Sequence, residues 1–374
     1  MGFIMKKSYP YLWERLTAFN NMLAAFHQAA RGRRGRESVA VFERSLEVNL
    51  PELRAELLEG YYQPGGYVSF YIHDPKKRLI SAAPFRDRVA HHTLINVIEP
   101  IFERKFIFDT YANRTGKGTH RALDRCTHYI RRYKYVLPLD IRQFFPSIDH
   151  TILMNILRGV IQDSRVLDLC QKIIASGQGV LSDEYEMVWF KDDDLLAASR
   201  PRGLPIGNLT SQFWANVYLN GLDHFIKRQL KCRAYIRYVD DMLLFSDDKQ
   251  ELHEWRTHII EYLASLRLTL HENSAQPRPS RVGLPFLGFQ VFPDHRLLKR
   301  RKAVHARRRL KALAAQYHSG QVDEKKVKAC VQSWVEHARY GDTTGLRRAI
   351  LSQITFTPPA GDPIETIPHI HQNL

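Results

Sequence analysis

The sequence predicts an α+β chain in which helices surround short antiparallel strands, and three observations predict it. Tyr235-Ile236-Arg237 leads through Tyr238-Val239-Asp240-Asp241 into Met242-Leu243-Leu244-Phe245. Side chains alternate on both sides, so each half reads as a strand, with two adjacent carboxylates at the tip of a tight hairpin. A second apolar run, Val136 to Leu139, also ends in a single aspartate, Asp140. Between and before these strands, apolar residues recur at helical spacing, as in Leu12, Leu16, Phe19, Leu23 and Phe26.

In chain order, the helix from Leu12 runs into Arg31-Gly32-Arg33-Arg34-Gly35-Arg36, a basic loop that is either a solvated connector or a phosphate contact. A second helix is expected over Ser38 to Gly60. Gln63-Pro64-Gly65-Gly66 breaks the pattern, Tyr67 to Ile72 and Leu79-Ile80 read as strands, and Asp87 to Phe102 reads as a helix packed by Val89, Leu94, Val97 and Ile98. Helices fill His150 to Ser176. Gly177 to Arg202 is polar and irregular, and its Lys191-Asp192-Asp193-Asp194 reads as solvated surface. Glu251 to Leu266 predicts a helix, Phe286 to Phe292 a strand, and Lys299 to Tyr317 a helix studded with arginine. The chain beyond Thr357 is polar and Pro-rich, where His369 and His371 stand too isolated for a metal site.

Composition narrows the function. A chain of 374 residues exceeds one typical core, so several subdomains are expected. Lys and Arg number 55 against 39 Asp and Glu, a net charge of +16 that favours a polyanionic partner. Cys126, Cys170, Cys232 and Cys330 lie far apart, which predicts neither a zinc site nor a disulfide framework and fits a reducing cytoplasm. No apolar stretch approaches the roughly 20 residues needed to span a bilayer, so neither secretion nor a membrane is expected.

Adjacent acids at a turn are often only a solvated loop. Three carboxylates brought together by pairing of the two strands are another matter, because that much negative charge is tolerable only around divalent cations. Two metal ions roughly 3.5–4 Å apart, clamping the attacking and leaving oxygens of an in-line displacement, are how nucleotides are joined by polymerases.

The ordered set of segments resembles a reverse transcriptase, from about Leu12 to Leu351. Pro75-Lys76-Lys77-Arg78-Leu79-Ile80 is similar to the fingers strand of that family. Arg86-Asp87-Arg88-Val89, Glu99-Pro100-Ile101-Phe102 and Tyr111 to His120 look like its following motif in bacterial retroelements. Phe286 to Phe289 resembles the primer-grip hairpin and Lys299 to Lys311 the start of a thumb. The resemblance implies a right-hand polymerase. Its expected parts are an N-terminal helical extension (1–60), fingers (61–135), a palm of antiparallel sheet plus helices (136–292, with an insertion at about 150–202), a helical thumb (293–356) and a loose tail (357–374). Within the family, Gly203-Leu204-Pro205-Ile206-Gly207-Asn208-Leu209-Thr210-Ser211-Gln212 discriminates. Most members hold glutamine where Ile206 stands and proline where Gln212 stands. This pairing, with Pro84 to Arg88 and Ser333 to Ala338, looks like the reverse transcriptases of diversity-generating retroelements.

That resemblance implies the residue roles. Asp140, Asp240 and Asp241 would be catalytic and, with the Ile141 carbonyl, would hold two Mg2+ ions. Lys76 and Arg78 would neutralise the incoming triphosphate, Phe145 would exclude a ribose 2′-hydroxyl, and Ile206, Gly207 and Gln212 would line the nascent pair. Arg114, Lys117, Arg300, Arg301, Arg307, Arg308 and Arg309 would grip nucleic acid. The palm segment Leu266 to Ala275 lacks the lysine many polymerases place there, and His271 is either its replacement or structural. Implied partners are a structured template RNA, the cDNA/RNA duplex and a small basic, oligomeric accessory protein, in a bacterial or phage-encoded system. A group II intron-like or antiphage-defence enzyme stands as the alternative, and a non-catalytic RNA-binding scaffold as one of another class.

Overall fold

Residues 9, 11–73, 77–191 and 193–358 are described in the computed structural model. Apolar spacing near 3.6 builds the first helices, α1 (Trp13–Thr17), α2 (Phe19–Ala30), α3 (Glu37–Arg44) and α4 (Leu46–Glu59). Two expected single helices are therefore each divided. The first breaks at Ala18, whose backbone leaves the helical region and puts Phe19 into solvent. The second bends at Ser45 (φ −116°, ψ 42°), and it ends at Gly60, whose φ of +80° suits a left-handed cap that a Cβ would strain.

Strands β1 (Val68–Ile72) and β2 (Arg78–Ala82) pair antiparallel, Val68 opposite Ala82 and Ile72 opposite Arg78. They lead into α5 (Phe85–Glu103), whose Val89, Ala90, Leu94 and Ile98 are fully buried. Early in this helix the buried Asp87 accepts from the Tyr62 hydroxyl (2.9 Å) and the Gly65 N–H (2.7 Å), fixing the Pro-Gly break against the helix.

The chain packs as two units. The first contains residues 1–116, 138–244 and 250–276, and the second contains 117–137, 245–249 and 277–374. α6 (Thr119–Arg132) belongs to the second. β3 (Tyr135–Asp140) passes from the second unit into the first, followed there by the short α7 (Phe144–Ser147), α8 (His150–Arg158), α9 (Ser164–Ala175) and α10 (Leu209–His224). α8 and α9 start where Asp149 and Asp163 accept backbone N–H groups, as N-caps do. The hairpin β4 (Ala234–Tyr238) and β5 (Asp241–Ser246) precedes α11 (Lys249–Ser265). In the first unit the strand order runs β4, β5, β3, so the two carboxylate-bearing strands are neighbours.

In the second unit β6 (Arg278–Pro279) pairs antiparallel with the start of β3. β7 (Leu284–Phe286) and β8 (Phe289–Val291) form a hairpin, with β9 (Arg296–Leu298) beyond β8. The segment 286–292, expected as a hairpin strand, turns back at Leu287 and Gly288, both at positive φ (45° and 91°), as a two-residue hairpin requires. Three helices complete the unit: α12 (Arg300–His318), α13 (Glu324–Ala338) and α14 (Thr344–Leu351). Their shared core is Leu310, Leu313, Tyr317, Val327, Val331, Ile350 and Leu351. Burial on α12 falls on one stripe, so Arg300, Arg301, Arg307, Arg308 and Arg309 are all exposed.

Candidate active site

The turn between β4 and β5 is made by Val239 and Asp240, and Val239 sits at φ +59°. A β-branched residue there is strained, so something must hold it. The fully buried Arg237 does so. Its guanidinium donates to Asp223 Oδ1 (2.8 Å) and Oδ2 (2.7 Å), to Asn216 Oδ1 (3.0 Å) and to the Val239 carbonyl (3.0 Å). Burial alone would lower its pKa, but the carboxylates of Asp223 and, further down the order of effect, Asp240 reverse that and hold it charged. The Tyr235 hydroxyl also donates to Asp223 (2.8 Å), and Asn216 in turn donates to the Ala112 carbonyl (2.9 Å). Arg237, Asp223, Asn216 and Tyr235 are not among the site residues expected from sequence. The one signal for it is an arginine inside a strand that is otherwise uncharged and buried on both faces.

Asp140 ends β3 and is half-buried. Its carbonyl accepts from the His271 N–H (2.9 Å), Ile141 bridges to Leu270, and the Arg142 N–H donates to Thr269 (2.8 Å). The segment lacking the palm lysine therefore runs beside Asp140, with the His271 side chain exposed. Asp240 is half-buried and Asp241 exposed. The donor set, hard carboxylate oxygens at adjacent strand ends, suits Mg2+ by its chemistry. Among the described residues, no group of three acidic, histidine or cysteine side chains already stands as a ready cage for a cation.

Phe144 is buried and Phe145 half-buried, their ring centroids 5.5 Å apart and their planes at 60°, so one ring packs the core while the other reaches toward the surface. The Phe145 carbonyl accepts from the Leu204 N–H (3.0 Å), which joins this turn to the 203–208 segment. That segment docks on β2. The Ser81 N–H donates to the Ile206 carbonyl (2.8 Å), and Asn208 accepts from the Ala83 N–H (3.1 Å) and donates to the Ser81 carbonyl (2.8 Å). Gly207 has φ +115°, and a Cβ there would lie 2.9 Å from Ile80 Cγ2, so both backbone and packing demand glycine. Arg78, exposed on β2, is thus carried by the strand that grips Ile206 to Asn208. Lys76 lies outside the described residues, as do His369 and His371.

Two expectations change. Arg114, expected to contact nucleic acid, has a side chain only 6% exposed, held by Glu103 (2.7 Å) and by the carbonyls of Ile107 (2.7 Å) and Thr110 (3.1 Å). Its charge is already paired inside the fold. Asp193, expected to be solvated, is 3% exposed at its side chain, and both its oxygens accept from one guanidinium nitrogen of Arg267 (2.7 Å). The Phe190 N–H and that guanidinium hold its carboxyl below the ordinary range. Its loop also touches the border of the site. Glu186 pairs with Arg142 and donates its N–H to the Gln143 side chain (3.0 Å), and Glu184 accepts from the Tyr71 hydroxyl (3.0 Å). These partners are largely exposed, so each contributes little stability. Lys117 and the five α12 arginines belong to the second unit.

Residues 73–291, more than half of the chain, match the family described as reverse transcriptase (RNA-dependent DNA polymerase). Protein YkfC of Escherichia coli is similar, 26% identical over 296 residues, covering 68% of this chain and 73% of that protein. The group II intron-encoded protein LtrA of Lactococcus lactis is 24% identical over 190 residues, covering 50% of this chain and 29% of its own. Nuclear intron maturase 2 of Arabidopsis thaliana is 25% identical over 150 residues, 36% of this chain and 20% of the maturase. The chain thus spans most of the first relative but under a third of the other two.

Proposed function

This chain belongs to the reverse transcriptase family, and on that footing we propose that it copies a template-repeat RNA into cDNA with misincorporation opposite adenines, as the polymerase of a diversity-generating retroelement. Asp140 and Asp240, with Asp241 assisting and the Ile141 carbonyl as a further donor, would hold two Mg2+ ions, which when bound supply charge for the attacking and leaving oxygens. Arg78 neutralises triphosphate oxygens, as a planar fork does best, and Lys76 is assigned the same task. Phe145 presses the sugar. Arg237 keeps the carboxylate turn in one conformation before substrate arrives, so no reorganisation is needed at the moment of reaction. The exposed α12 arginines and Lys117 track phosphates, and a small basic oligomeric accessory protein and structured RNA are the assigned partners.

The observation that carries the finer reading is Ile206. Its carbonyl is committed to β2, and its side chain offers only van der Waals contact where most of the family holds an amide. Apolar shape selection supplies about 1–3 kcal/mol of discrimination, against far more where a polar group would be left unpaired. Ile206→Gln is expected to raise fidelity chiefly opposite template adenines while total synthesis changes less. Sequencing cDNA made by both enzymes on one template measures it, and equal adenine error spectra would return Ile206 to packing alone. An intron-type enzyme is the second reading, favoured by the similarity to LtrA. A neighbouring pair of repeats differing only at adenines separates the two.

A further inference from the structure

Where α2 ends beside α5 and the start of α10, the first unit holds a cavity of about 310 Å³, of whose lining only Gly207 and Gln212 have a role above. Its lining includes Arg31, Arg33, Arg88, His91, His92 and Gln212, with Gly207 at its edge and no carboxylate among its residues. Arg31 and Arg33 are exposed at the start of the basic loop, and neither makes an ion pair among the described residues. His91 is 1% exposed, yet neither ring nitrogen has a hydrogen-bond partner. Buried polar groups are nearly always paired, so an imidazole left with both nitrogens open calls for an explanation. Burial pushes its pKa down to about 3, which leaves the ring neutral at pH 7 with one N–H donor and one lone pair. Gln212, an amide with two donors and an acceptor, opens onto the same space.

Cations at the rim with neutral donors and acceptors inside match a group that is anionic at one end and polar along an edge. A nucleotide has that form. The loop argues for a strand over a free mononucleotide, because Arg36 continues the row of exposed cations past Gly32 and Gly35, while Arg34 is already paired with Glu43 (2.9 Å). We propose that this pocket binds one unpaired nucleotide of an RNA strand, its phosphate held by Arg31, Arg33 and Arg88 and its base facing Gln212 with the His91 ring behind it, the loop carrying the next phosphate. The proposal rests on the polymerase reading only in the choice of RNA as the polynucleotide.

The test uses the full chain and a single-stranded RNA oligonucleotide bearing 4-thiouridine. Affinity is titrated across salt concentrations and photo-crosslinks are mapped. Arg31→Ala/Arg33→Ala, two exposed positions, is expected to raise Kd about tenfold or more and to lower the slope of log K against log salt by about 0.7, the value for one phosphate no longer neutralised. Arg34→Ala is expected to change neither. Crosslinks are expected in the peptides holding His91-His92 or Gln212. An unchanged Kd and slope, or crosslinks confined elsewhere, would overturn the pocket. Adenosine monophosphate competing as well as the oligonucleotide would overturn the strand assignment. Primer extension on the same preparations separates the readings: RNA bound in the pocket without extension defeats the polymerase, whereas normal extension with RNA binding unaltered in the double variant defeats the pocket alone.

Discussion

The carboxylate turn and the arginine-lined pocket belong to the same unit, and they treat charge in opposite ways. Beneath Asp240 and Asp241 the fold supplies a fully buried counter-charge, Arg237, itself locked by Asp223 and Asn216. Around the pocket Arg31 and Arg33 have no acidic partner among the described residues, and the interior imidazole has no hydrogen-bond partner among them. The turn is built rigid, strain at Val239 included, because small displacements of reacting groups cost rate steeply. The pocket is left incomplete, as a site is when the ligand supplies the missing partners. Buried polar networks are therefore not one thing: satisfied, they fix geometry, and unsatisfied, they call for an explanation.

The largest effect is expected at the turn itself. On the proposed metal site, Asp240→Asn would remove one charge facing the ions and leave the half-buried backbone alone, so primer extension with Mg2+ should fall by about 10³-fold or more, the scale of losing a preorganised electrostatic group. Thermal stability should hardly move. Extension at the wild-type rate would break the comparison at its root, since the braced turn would then brace nothing catalytic.

Arg237→Met sharpens the other half. It strands Asp223 in a site with no exposure and frees the Val239 carbonyl, a loss of about 3–5 kcal/mol of stability for a broken buried pair. Adding Asp223→Leu should recover part of it. Urea denaturation of the single and double variants reads both, and a cost under about 1 kcal/mol for the single change would mean that the turn is held by something other than the buried arginine.

How much of this is legible in the sequence depends on the range of the interaction. Asp140, Asp240 and Asp241 can be found because period-two alternation marks the strands and the acids sit at their ends. Gly207 is legible as a close approach, although only the structure shows that Ile80 is what it approaches. Arg114 misleads because a basic residue in a glycine-rich segment looks solvated, and its partner Glu103 lies on the preceding helix. Asp193 misleads for the same reason, its partner Arg267 being 74 residues away. The division of the first helices at Ala18 and Ser45 leaves no Gly or Pro signal, because tertiary packing sets it. His91 reads in sequence as one more residue of an amphipathic helix. Its isolation is a property of three segments meeting.

That isolation has a pH signature, smaller than the effects above. The pKa of His91 lies near 3 in the folded chain, pushed down first by burial and then by His92, against about 6.5 in the unfolded chain. Between those values the unfolded state binds the proton and the folded state does not, so stability present above pH 6.5 is lost as pH falls, at about 1.4 kcal/mol per unit. From pH 6.5 to 5 that amounts to about 2 kcal/mol. His92, His150 and His337 are depressed as well and contribute their own slopes, so the measurement is a difference. His91→Leu keeps the volume and removes the titration, and its stability in urea is expected to fall about 2 kcal/mol less than that of the wild type over the same interval. Equal acid losses in the two proteins would mean that the imidazole takes up its proton inside the fold, with water or a neighbour as partner, and the contrast between a completed turn and an incomplete pocket would fail.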